Sequence, residues 1–221
     1  MPLFDKKRSV MALDSRAIAL IKQELSSVLS IAASYDHMME QNGEYVISLE
    51  GRMRGDLLAF TLYLSGFGGK TKPEEITVVN KIFDIDLSNA DFVLFRKDVG
   101  NKSFQHAVPP SILILHELGN RIQNEGTNAD GPSASQVAER NGVPNMAKAL
   151  TDALINVYAL IGSALTSADS VITKRESTEL IQYLYMMVRA IDGPNAQLPE
   201  GPARSTIAAH KRLFDKEPRI S

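Results

Sequence analysis

No cysteine occurs in the 221 residues. That absence removes disulfide scaffolds, thiolate zinc sites, cysteine nucleophiles and thiol redox chemistry together. It also fits a reducing compartment, so a cytoplasmic location is expected. A surplus of positive charge is missing too. Lys+Arg 24 against Asp+Glu 26 leave a formal net charge of −2, and no bulk field gathers nucleic acid or anionic lipid. Nucleic acid is therefore not an expected partner. The one basic excess is local: Arg204, Lys211, Arg212, Lys216 and Arg219 outnumber Asp215 and Glu217 at the C-terminus.

Long apolar runs are absent as well. Lys6-Lys7-Arg8 is followed by only Ser9-Val10-Met11-Ala12-Leu13 before Asp14, too short for a signal h-region. Elsewhere polar residues break the apolar segments short of the roughly 18 positions that a membrane helix needs. No transmembrane helix is expected; peripheral membrane association and self-association stay open. What remains, 44% apolar and 23% charged residues, is ordinary for a globular chain able to bury a core.

The apolar residues recur at helical spacing. A first helix is expected over 14–41, from an Asp14 N-cap to an Asn42-Gly43 stop, with Ile18, Ile21, Leu25, Val28, Leu29 and Ala32 on one stripe. A second is expected over 49–65 with Leu57, Leu58, Phe60 and Leu64 inward. Past Gly66-Phe67-Gly68-Gly69-Lys70, Thr71 and Glu74 form a capping box for a third helix carrying Ile76, Val79, Ile82 and Phe83. Ser88 and Asp91 cap a short helix to about Lys97, and Pro109-Pro110 opens another through Gln123.

The stretch 125–135 reads as a loop. A very apolar helix follows over 144–166, and Thr173 with Glu176 caps the last strong helix, which ends near Ile191. Residues 193–202 hold three prolines and two glycines and read as an extended linker, with a short amphipathic turn over 206–214. No sustained strand is signalled. The expectation is an all-α bundle of about seven helices: an arm over 1–13, one domain over 14–191, and a linker with a tail over 192–221. In the tail, Leu213 and Phe214 are the candidate partner-binding residues.

Two segments, 56–83 and 158–185, share one plan: an apolar helix, a small-residue loop, a Thr-Lys-x-Glu box and a second apolar helix. Superposing Thr71 on Thr173 aligns Glu74 with Glu176, Val78 with Leu180, Val79 with Ile181 and Ile82 with Leu184. This reads either as a pseudo-two-fold duplication or as two well-capped hairpins of ordinary kind.

The second unit, Ser167-Ala168-Asp169-Ser170-Val171-Ile172-Thr173-Lys174-Arg175-Glu176, resembles the hallmark of TerB-like (tellurite-resistance) domains over about 56–190. In that family a helix ends in small residues and an Asp, and a capped helix places a Glu seven residues later. This chain departs at Ser170, where the family usually has Gly, and at Phe67, where the first unit would carry an Asp. The resemblance implies a compact helical bundle tied to stress-response complexes. It also implies divalent-metal binding, with Asp169 and Glu176 as candidate metal ligands. The same two residues also read as a helix-ending turn and the far half of a capping box. A hard cation wants six or more oxygens, and two acids bind it poorly.

Three motifs fail on their spacing. Gly69-Lys70-Thr71 lacks a phosphate loop's first glycine, because Leu64 stands there. His116-Glu117 opens like a zinc-protease helix, but Asn120 replaces the second histidine. Asp84-Ile85-Asp86-Leu87-Ser88 begins like a calcium loop, but Asn89 replaces the turn glycine and Phe95 the bidentate glutamate. No catalytic or cofactor-binding residue is assigned. The expected function is a non-enzymatic helical protein-interaction module, with a divalent cation as the cofactor the resemblance implies. The alternatives are a helical enzyme with its site near His116 and Glu117, or a structural assembly component.

Overall fold

The computed structural model describes residues 7–9, 15–41, 48–64, 72–91, 109, 111–112, 143–169 and 171–215. Of these, 82% are helical. The elements are β1 (Lys7–Ser9), α1 (Ser15–Gln41), α2 (Leu49–Leu64), α3 (Pro73–Phe83), α4 (Val143–Thr166), β2 (Val171–Thr173), α5 (Lys174–Asp192) and α6 (Pro202–Asp215). A further helix begins at residues 89–91. The all-α expectation holds. His116, Glu117, the glycine run at 66–70, Ser170 and the loop at 125–135 lie outside the described residues.

The core is built around α4, which packs against α1, α2, α3, α5 and α6. Its sequence explains that place. Leu150, Leu154, Ile155, Val157, Tyr158, Ile161 and Leu165 are buried over one broad face, with the half-exposed Asp152, Asn156 and Ser163 on the other side, and a helix with so wide an apolar face belongs at the centre of a bundle. Helix α1 contributes the expected stripe, with Ile21, Leu25, Val28, Leu29 and Ala32 buried and Ile18 packed at its edge. Helix α2 contributes Leu49, Met53, Leu57, Phe60 and Leu64, spaced at three and four residues. Phe60 meets Tyr158 edge-on at 4.7 Å and Tyr183 at 4.8 Å between ring centroids, which ties α2, α4 and α5 together.

Helices α4 and α5 approach closely at Gly162, where an added Cβ would run into Leu180 Cδ1. Leu180 is fully buried and has little room to give. Gly162→Ala should therefore destabilise by about 1–3 kcal/mol through overpacking, read as a lower denaturant midpoint.

Two local features have long-range causes. The amides at the start of α2 are capped from α1: Asp36 Oδ1 accepts from Leu49 N at 2.7 Å, and Oδ2 accepts from Glu50 N at 3.0 Å and Ser48 Oγ at 2.8 Å. Strand β1 pairs antiparallel with β2, Lys7 opposite Thr173 and Ser9 opposite Val171. Part of the expected N-terminal arm is thus tied to the start of α5.

The C-terminal segment differs from expectation. Pro202, read as linker, is the first residue of a fourteen-residue helix, the position where its missing N–H and fixed φ suit a helix best. Helix α6 lies on α4 and α5, with Ala203, Thr206, Ile207 and His210 buried beside Leu198. Asn156 on α4 fixes its start, donating to Glu200 O at 3.0 Å and accepting from Ala203 N at 2.9 Å. Docking to the body therefore runs through Ala203 and Ile207, while Leu213 and Phe214 are half-buried.

Two segments, Ser15–His37 in α1 and Lys148–Thr166 in α4, are long and apolar enough to cross a membrane by length and composition. This differs from the reading by uninterrupted runs. Segment 148–166 is 67% buried as the core helix, and the inner stripe of α1 is committed to the same core.

Candidate functional site

The structure gathers Asp169, Glu176 and a third acid, Glu75, around one lysine. Lys72 precedes Pro73, and a residue before proline is disfavoured in the α region. It therefore takes the extended N-cap conformation of α3 (φ −91°, ψ 149°) with Pro73 in the first turn. Its amide donates to Glu75 Oε2 at 2.7 Å. This corrects the expected box: Lys72 is the N-cap and Glu75 the acid that reaches back, in place of Glu74 with Thr71, which itself lies outside the described residues. Glu74 is exposed, whereas Glu75 is 4% exposed.

The box of α5 is as expected. Thr173 N donates to Glu176 Oε2 at 2.8 Å, and Glu176 N donates to Thr173 Oγ1 at 3.1 Å. Thr173→Ala should cost about 0.5–2 kcal/mol, as other N-cap losses do, measured by denaturant melts. With the shifted register, Lys72 corresponds to Thr173, Glu75 to Glu176, Val79 to Leu180 and Ile82 to Tyr183. Glu75, Val79 and Ile82 and their counterparts are all buried.

The Lys72 side chain then reaches across to the second unit. Nζ donates to Asp169 Oδ2 at 2.7 Å and lies 3.5 Å from Glu176 Oε1. Asp169 Oδ1 accepts from Val171 N at 3.2 Å, which closes the turn before β2. Burial alone would lower the lysine pKa, but the Asp169 hydrogen bond and the charges of Glu176, Asp169 and Glu75 outweigh it and hold it above its ordinary value. Burial would raise Asp169, yet the bonds from Lys72 and the Val171 amide bring it below the usual carboxylate range. Glu75 goes the other way. Burial, aided by the charges of Glu176 and Asp169, pushes it up to about 7 against the pull of the Lys72 amide and ammonium.

Chemically this is a clasp: the ammonium, bonded to Asp169 and close to Glu176, fastens the start of α3 to the α4–α5 turn, while Glu75 accepts from the Lys72 amide. It presents no nucleophile. The two candidate metal ligands do come together, but their shared focus holds Lys72 Nζ. Among the described residues no group of three or more His, Cys, Asp or Glu is arranged to hold a metal ion. Glu75 and Lys72 are the members that sequence reading missed. Lys72 lies 97 residues from Asp169, and the available signal was the proline after it.

On the far side of Glu176, His210 Nδ1 lies 3.1 Å from Ser177 Oγ. Burial pushes the imidazole below its ordinary pKa against the pull of the Glu176 charge. Both residues are only 3% exposed, so this hydroxyl meets no substrate; it is a satisfied polar contact between α5 and α6. The calcium-like segment is a turn. Asp84, in the left-handed region (φ 52°), caps α3 and pairs with Lys22. Asn80 brackets Leu87 through both its N–H and C=O, and Ser88 and Asp91 form the expected box.

Two hollows open on the surface. One of about 470 Å³ runs along α2 past Gly51, Arg52, Gly55 and Asp56, and one of about 340 Å³ lies between α1 and α3 beside Glu74 and Lys81. No family model, curated protein or solved structure matches the chain.

Proposed function

We propose that the chain is a non-enzymatic helical module that binds a partner protein, and that α1 carries the contact. The observation behind this is the outer face of α1. Leu20 (47%) and Ile31 (39%) are the exposed large apolar side chains among the described residues, and both lie there. The exposed positions between 17 and 36 are Ala19, Leu20, Gln23, Ser26, Ser27, Ser30, Ile31 and Ser34, and none is ionisable. A single exposed leucine means little. The half-exposed Glu24 lies on this face one turn after Leu20; a face otherwise free of charge, on a helix whose opposite side is locked into the core, is the kind of surface that a partner covers.

The resemblance to TerB-like domains supports the same class of function, and it adds a divalent cation at Asp169 and Glu176. Such an ion would enter by displacing the Lys72 ammonium. The response would then be a competition, read as a rise in melting temperature at excess calcium, magnesium or manganese. The α1 reading is tested by native affinity capture with the wild-type chain and a Leu20→Glu, Ile31→Glu variant. Both positions are exposed, so the variant should melt normally and lose the captured protein. Undiminished capture would rule this face out.

A further inference from the structure

Lys211, one of the basic residues in excess at the C-terminus, falls in the structure on the seam between α5 and α6. The half-buried ring of Tyr185 carries two cations there. The Arg189 guanidinium, one turn further along α5, lies 5.5 Å from its centroid, and Lys211 Nζ reaches it from α6 at 5.7 Å. Both side chains are exposed, and among the described residues neither makes an ion pair. Arg204, on the same helix as Lys211, is by contrast engaged by Glu200 and the Leu198 carbonyl. Arg212 is exposed beside Lys211. Of the α5 acids nearby, Glu179 lies on the flank of the Tyr185 face, and Asp192, one turn beyond Arg189, forms no bond with it. Two cations gathered at one aromatic ring, neither in an ion pair among the described residues, present charge that an incoming anion neutralises.

We propose that the Tyr185–Arg189–Lys211 surface binds an acidic segment of a partner protein. The guanidinium fork takes a carboxylate through two parallel bonds and the ammonium takes a second as a point charge. The tyrosine ring offers a flat surface to the methylene stems of glutamate. Nucleic acid and anionic lipid fit less well. They call for tracks of roughly 6–10 phosphate contacts or clusters of about 4–8 basic side chains, and the chain is net negative away from this seam. The proposal rests on the reading of the chain as a protein-binding module but uses a different face from α1.

The test uses the full chain and a fluorescent decamer of glutamate, with binding followed by anisotropy. At low salt the wild type should bind saturably, and binding should vanish by about 0.5 M salt as screening shortens the reach of the charges. Arg189→Gln with Lys211→Gln should weaken it about three- to tenfold, the range for losing two exposed charge contacts, without shifting the melt. Arg189→Lys with Lys211→Arg, which keeps both charges, should restore most of the binding. The Leu20→Glu, Ile31→Glu variant should bind the decamer normally, so the two readings fail separately. Absent saturable binding at low salt, or equal binding by wild type and the Gln pair, would overturn the proposal. So would a stronger dependence on these two cations for an oligonucleotide or phosphatidylserine vesicles than for the decamer.

Discussion

Lys72→Met should lower the unfolding free energy by about 2–3 kcal/mol near neutral pH. Removing one partner of a fully buried ion pair costs about 3–5 kcal/mol, because the other charge stays behind unpaired. Here Lys72 and Asp169 are 32% and 24% exposed while Glu176 is 5% exposed, so solvent screens part of the loss. Lys72→Arg keeps the charge and should recover much of it. Acid supplies the discriminating readout. Asp169 is held below the usual carboxylate range, so its share of the pair is lost only as pH falls through that lowered value, and the Met variant should approach the wild type there. A defect of the same size at about pH 2.5 and pH 7 would mean that the lysine acts through its stem and not its charge.

The second large effect is at Glu75. Its folded pKa is raised from 4.5 to about 7, so between those values the native state holds a proton that the unfolded chain has released. The stability this group contributes is fully present below pH 4.5 and is lost as pH rises through about 7. Glu75→Gln should therefore match the wild type at pH 5 and exceed it at pH 8 by about 2 kcal/mol, somewhat under the figure for a shift of this size. The amide oxygen of glutamine can still accept from the Lys72 amide, so the capping bond survives. Melts at the two pH values decide it. A Gln variant weaker than wild type at both would show that the ionised carboxylate is needed.

The helices were legible because their causes are local. Ile21, Leu25, Val28 and Leu29 sit at helical spacing and are buried, and Thr173 with Glu176 forms the box that the sequence announces. Where local signals compete, a conformational limit decides between them. Thr-Lys-Pro-Glu-Glu offers two registers for a box, and the conformational limit on the residue before Pro73 selects the second. Pro202 followed the same logic in reverse, opening a helix that composition had assigned to a linker. The clasp was not legible, because its geometry depends on Lys72 reaching a turn 97 residues away. Asp36 capping α2 from the middle of α1 is hidden for the same reason, as is the meeting of Lys211 with Tyr185.

Because the chain has no cysteine, one introduced thiol is a unique chemical handle. A photo-cross-linker placed at Ile31→Cys, on the exposed face of α1, would be activated in the native source alongside one at Asp86→Cys, an exposed position in the turn after α3. Cross-linking of one discrete partner protein from position 31, with none from position 86, is the predicted result. The same species from both positions, or none from position 31, would contradict a partner-binding role for that face.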